Sequence, residues 1–111
     1  FGPTNVALHD VSTQAELGHA QYAVERASQV DSRHLPIERR VRAGLDFAGV
    51  LAATGEMRSA SDVLLATEKL SPGLVVRHFA ARRVLGVLLR TRQPSRLPPA
   101  IIDLAHRAGV A

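Results

Sequence analysis

The sequence predicts an all-α fold, an array of antiparallel helical hairpins wound as a right-handed α-solenoid. Three observations predict it. Apolar and small residues recur at helical spacing along most of the 111 residues. Two successive helix pairs each hinge on a glycine, Gly18 and Gly55, in the place where a helix ends in a left-handed residue. The two pairs also align with one another at a single offset.

The elements follow in order. Pro3 and Thr4 open the first helix, since proline suits the first turn. Val6, Leu8, Val11, Ala15 and Leu17 are its apolar positions. The second helix runs from about His19 to Val30, with Ala20, Ala23, Val24, Ala27 and Val30 on one stripe. Asp31 to His34 is a polar connector. Pro36 starts a third helix to about Thr54, with Val41, Leu45, Ala48, Leu51 and Ala52 inward. A fourth runs from Met57 to about Lys69, and Ser71-Pro72 closes it, because proline cannot continue a helix. Ser71 can then cap a further helix and Pro72 can start it. Its apolar stripe holds Leu74, Val75, Phe79, Val84, Leu85, Leu88 and Leu89, in one bent helix or in a short one and a longer one. The run from Val84 to Leu89 reads as core, with an exposed dimer interface as the alternative. Thr91 to Leu97 is a loop. Pro98-Pro99 begin a last helix that ends near Ala108 at Gly109, with Ile101, Ile102, Leu104 and Ala105 covering the open end of the array.

Setting Gly18 on Gly55 exposes an internal repeat of 37 residues: Ala20 falls on Met57, Ala23 on Ala60, Ala27 on Leu64 and Val30 on Thr67. The period slightly exceeds the 34 or so residues of a tetratricopeptide repeat, with the excess in the 31–35 connector. The expected architecture is thus a single tetratricopeptide-like domain: repeat one at about 3–30, repeat two at about 36–70, and terminal helices at about 72–108. In such repeats the first helix of each pair lines a concave groove. Asn5, Leu8, Ser12, Glu16, Arg42, Leu45, Asp46 and Gly49 then face it, with His9 at its edge. Gly49 leaves the deepest notch. The mixture of donors and acceptors around Leu8 and Leu45 suits a polar peptide with one apolar anchor better than a fatty ligand.

Composition excludes much chemistry. No cysteine is present, so disulfides, thiolate metal sites and cysteine nucleophiles are out. No apolar run approaches the roughly 20 residues of a membrane span. The histidines His9, His19, His34, His78 and His106 form neither HExxH nor an i, i+4 metal pair. No GxGxxG, GxxxxGK[ST] or GxSxG occurs, His9 and Ser12 lack an orienting acid, and Glu16, Asp46 and Asp62 show no pairing for acid–base work. The expectation is a binding module, with no enzyme activity, metal or cofactor. Charge is uneven. Up to Leu70, seven Lys/Arg face nine Asp/Glu; from Ser71 onward seven arginines face Asp103 alone, and the whole is +4. Arg77, Arg82, Arg83, Arg90, Arg92 and Arg96 could meet phosphates, but Val84 to Leu89 is too apolar for a base-reading helix, and aromatics for stacking are few. Lys69 is the only lysine, a bias that fits a GC-rich bacterial coding sequence.

A family resemblance rests on the opening FGPTNVALH followed by AELG, on LPIERRVRAGLDFAGVLAATG, and on LLATEKLSP. These segments resemble the tetratricopeptide-like C-terminal region of bacterial helix-turn-helix (XRE-type) transcriptional regulators, from Phe1 to about Ala108. The resemblance implies a cytoplasmic regulator whose DNA-binding head lies upstream, which also fits a chain that opens on Phe1. It implies a sensor or partner-binding role for this part, the partner being a peptide, a protein or the regulator's own head. DNA would be met only through that head, and a homodimer is compatible. The alternative is a helical dimerisation scaffold without a ligand. Family members often place proline where Phe79 stands, which leaves open whether the helix there is continuous.

Overall fold

The computed structural model describes residues 2–91 and 96–110, and among these the secondary structure is helical, with no strand. The helix α1 (Pro3–Glu16) pairs with α2 (Ala20–Gln29), and α3 (Ile37–Ala53) pairs with α4 (Met57–Leu70). Next come α5 (Pro72–Arg77), α6 (Phe79–Leu89) and α7 (Pro99–Arg107). The predicted loop from Thr91 to Leu97 falls partly on 92–95, outside the described residues.

Both predicted turn glycines have positive φ, +86° at Gly18 and +87° at Gly55. Each closes its helix the same way. The Gly18 N–H donates to Ala15 O and the His19 N–H to Gln14 O at 2.9 Å; the Gly55 N–H donates to Ala52 O and the Glu56 N–H to Leu51 O at 2.8 Å. These paired bonds satisfy carbonyls that a helix end leaves free and turn the chain back on itself. Gly109 repeats the motif after α7, at φ +75°.

The 37-residue repeat has a packing meaning. Ala23 and Ala60, five positions after the two turn glycines, are both fully buried. So are Val11 and Ala15 of α1 and their counterparts Ala48 and Ala52 of α3. Small side chains at these places let each hairpin close tightly.

The helix α3 lies at the centre, packed on α1, α4, α5 and α6. Its buried residues Val41, Leu45, Phe47, Ala48, Leu51 and Ala52 point in several directions around the axis, as a helix with neighbours on three sides requires. Each large one contributes about 1.5–3 kcal/mol of burial. At Gly44, α3 leaves no room for a side chain against Thr67 of α4. A methyl group there would lie 2.8 Å from Thr67 Cγ2 and 3.0 Å from Thr67 Cβ, and Thr67 is held by its own bond from Oγ1 to Val63 O.

Several expectations are corrected. Val6 and Leu17 are 66% and 64% exposed, so they belong to no apolar face. Leu17 is the residue that caps α1, where the helical phase ends. Ser71 makes no side-chain capping bond. Phe79 is 58% exposed, because the chain breaks at His78 and the helical phase restarts there. The run Val84 to Leu89 is core: Val84, Leu85 and Leu88 are buried, so it offers no exposed dimer face. The covering role of α7 rests on Ile101, Leu104 and Ala105, buried against the core, and on Arg107, which donates to Asp103 at 2.9 Å and to Glu68 Oε1 of α4 at 3.3 Å. The connector after α2 is ordered by Asp31, whose carboxyl is held at about 2 by the Arg33 side chain and backbone N–H.

Two stability measurements follow. Gly55→Val and Gly18→Val should each destabilise by about 1 kcal/mol or more, because a β-branched residue resists positive φ; unchanged denaturation midpoints would contradict the turn geometry. Gly44→Ala should destabilise by about 1–3 kcal/mol through overpacking against Thr67, outweighing the roughly 0.5–1 kcal/mol that alanine gains over glycine in a helix. A raised midpoint for Gly44→Ala would place α3 and α4 further apart.

Candidate binding hollows

Two hollows flank α3. The first, of about 870 Å³, lies between α1 and α6 with α3 as its floor. From α1 come Ser12 and Glu16, and from α3 come Leu45, Asp46 and Gly49. The opposite wall is α6, where Arg82, Gly86 and Arg90 follow one another at four-residue spacing and Arg83 stands beside them. The charges on the two sides differ in kind. Asp46 is balanced within its own helix by Arg42, whose Nε donates to Oδ1 at 3.1 Å. Glu16, Arg82, Arg83 and Arg90 enter no ion pair among the described residues. One wall is therefore acidic at Glu16 and the other carries three free guanidinium groups.

What aims that basic wall is the break at His78. Its extended backbone (φ −82°, ψ 128°) separates α5 from α6, and its Nδ1 accepts the Ala80 N–H at 3.1 Å as a helix cap. The imidazole also stacks on the Phe79 ring at 5.3 Å between centroids. The helix is thus interrupted without proline, and Phe79 sits at the first helical position, where a proline would fit.

The second hollow, of about 590 Å³, opens on the other side of α3, between α1–α2 and α4. Leu8 of α1, Val24 and Ala27 of α2, Phe47 of α3, and Val63 and Leu70 of α4 give it a largely apolar lining. Its polar members include Arg40, His9 and, from α4, Asp62. The Nε of Arg40 is buried and has no hydrogen-bond partner.

The nine sequence-predicted groove residues are therefore divided. Ser12, Glu16, Leu45, Asp46 and Gly49 line the first hollow, and Leu8 and His9 line the second; Ser12 and Asp46 border both. Leu45 is only 1% exposed, so it supports the floor and is not a reachable anchor. Asn5 and Arg42 line neither hollow: Asn5 Oδ1 accepts from Arg39 Nη2 at 3.3 Å, and Arg42 is engaged with Asp46. Gly49 faces Val84, with ordinary contact distance for an added methyl group, so its notch is shallow. Sequence reasoning missed Arg82, Arg83 and Arg90 as a groove wall and Arg40 as a cavity residue. Treating α6 as the first helix of a further pair would have found the first three.

Among the described residues no three His, Asp or Glu side chains gather as a metal site. No helix of the described residues is long and apolar enough to cross a membrane. No protein-family model, curated protein or solved structure matches the chain.

The geometry at the break predicts two opposite outcomes. Phe79→Pro should leave the stability unchanged or raise it by up to about 1 kcal/mol, since residue 78 already has the extended conformation that precedes proline. His78→Ala should cost about 1 kcal/mol by removing the cap. Chemical denaturation of both variants checks this; a strongly destabilised Phe79→Pro would mean that α5 and α6 form one continuous helix.

Proposed function

We propose that this chain is the partner-binding regulatory module of a cytoplasmic bacterial transcriptional regulator, built as a tetratricopeptide-like array, with the DNA-binding domain upstream. The observation that carries the reading is the first hollow. It is floored by α3 and walled by α1 and α6, with charges of opposite sign on the two walls. Such a trough suits a peptide segment, supplied by another protein or by the regulator's own head. The family resemblance of the sequence supports the regulatory setting. The two successive hairpins, α1–α2 and α3–α4, are compatible with the repeat architecture.

Panning the protein against a peptide library and measuring the enriched peptides by calorimetry tests the proposal. Glu16→Lys and Arg83→Glu lie on the exposed walls and should leave the fold intact. Each should weaken binding by about tenfold or more, equivalent to about 1.4 kcal/mol. Peptides that bind both variants as tightly as the wild type would remove the first hollow from consideration. Self-association in sedimentation, with no peptide enriched, would favour the dimerisation scaffold instead.

A further inference from the structure

We infer that the second hollow is a separate binding site for a small organic acid, an apolar body carrying one carboxylate, which Arg40 recognises. The inference is independent of the peptide trough on the other side of α3.

It begins from an unpaid cost. A guanidinium group has five N–H donors and stays charged. Arg40 is half-buried, its Nε is shut off from water without an acceptor, and no carboxylate lies within ion-pair distance among the described residues. Buried polar groups are nearly always satisfied, and one left over calls for a reason. No simple structural reason is present. Arg40 neither bridges two helices nor caps one, and its neighbours on the hollow's walls are mainly hydrocarbon. Rotating the guanidinium into the hollow it already lines would free the Nε–H and an adjacent Nη–H. Together these form the planar fork that receives a carboxylate through two parallel bonds.

The rest of the hollow fixes the chemistry of the body. Its volume, about 590 Å³, is within the usual range of small-molecule sites, roughly 300–1,000 Å³. Leu8, Val24, Phe47, Val63 and Leu70 supply apolar surface from four helices. A single guanidinium group balances one negative charge. Asp62 on α4, which enters no ion pair among the described residues, would repel a second, which favours a monocarboxylate over a phosphate ester. The ligand therefore has an alkyl or aryl body and one acid group placed towards the start of α3.

Octanoate is a suitable probe, with 1-octanol as the isostere that lacks the charge. Calorimetry on the wild-type protein should find octanoate binding at least tenfold more tightly than 1-octanol. Arg40→Gln should abolish that preference. Arg77→Ala, which removes an exposed arginine outside both hollows, should keep it, so general attraction of anions to surface arginines is separated from recognition. Ala66→Phe, which fills the hollow, should weaken both probes together. Thermal melts of each variant confirm folding and add a second readout. Arg40→Met should melt higher than the wild type, because it removes the orphan donor and keeps the stem. Equal affinity for the two probes, a preference that survives Arg40→Gln, or an Arg40→Met protein that melts lower would overturn the inference.

Discussion

Gly44 of α3 lies against Thr67 of α4 with no room for a methyl group, and the remaining packing depends on that approach. Close contact at one crossing fixes how α3 and α4 sit along their length. Leu51, Ala60 and Leu64 of the two helices are all buried in the core. Thr67 is held from the other side by its bond to Val63 O, so relaxing the contact by a change of rotamer would give up that bond. With α4 fixed, α3 offers its remaining faces to α1 and to α5–α6, and every other hairpin is placed relative to it.

The turns act on this arrangement from the ends. Three helices end with the same pair of bonds around a positive-φ glycine, and two of these ends reverse the chain into a hairpin. Because the reversal is short, the side chains that meet just after it must be small, and Ala23 and Ala60 are. The break at His78 uses another device. A histidine nitrogen stands in for the usual Ser, Thr or Asp oxygen as cap, and the redirected α6 becomes a wall of the first hollow.

These features differ in how legible they were. Glycine turns, proline starts and apolar spacing are local, so the helices could be bounded to within a residue or two from sequence, and Gly18 and Gly55 could be assigned as left-handed. The small residues at Ala23 and Ala60 were legible through the repeat. Gly44 was not, because a close approach depends on what lies across from a residue, here Thr67, 23 positions away. Phe79 was misassigned to the apolar stripe because its periodicity was carried across the break at His78, although the sequence had left a short helix followed by a longer one open. The groove was half legible. Assigning the first helices of two pairs to it found Ser12, Glu16, Asp46 and Gly49, but the wall opposite α1 was left out because α6 was read as a terminal element. The second hollow was invisible for a topological reason. The first hairpin packs on the second chiefly through α1 and α3, and the space beside α2 and α4 belongs to no single helix pattern.

The uneven charge of the sequence gains a meaning in three dimensions. Read linearly, the chain has an acidic body and an arginine-rich end. Folded, that end is not a tail. Arg107 ties α7 to Glu68, while Arg82, Arg83 and Arg90 face the hollow across from Glu16. Asp46 is neutralised by Arg42, so the field across the trough is set by one acid on α1 and three cations on α6. An occupant with its own acids towards α6 and a cation towards α1 is attracted at both walls, and one bound in the reverse sense is repelled at both. Charges of this kind contribute less to affinity than to orientation and rate, because they are exposed and screened within about 8 Å at physiological salt. The affinity of the proposed occupant would then come chiefly from the floor, which Gly49 and Val50 line between the walls. A segment bound there as proposed would therefore be selected for its direction more strictly than for its detailed sequence.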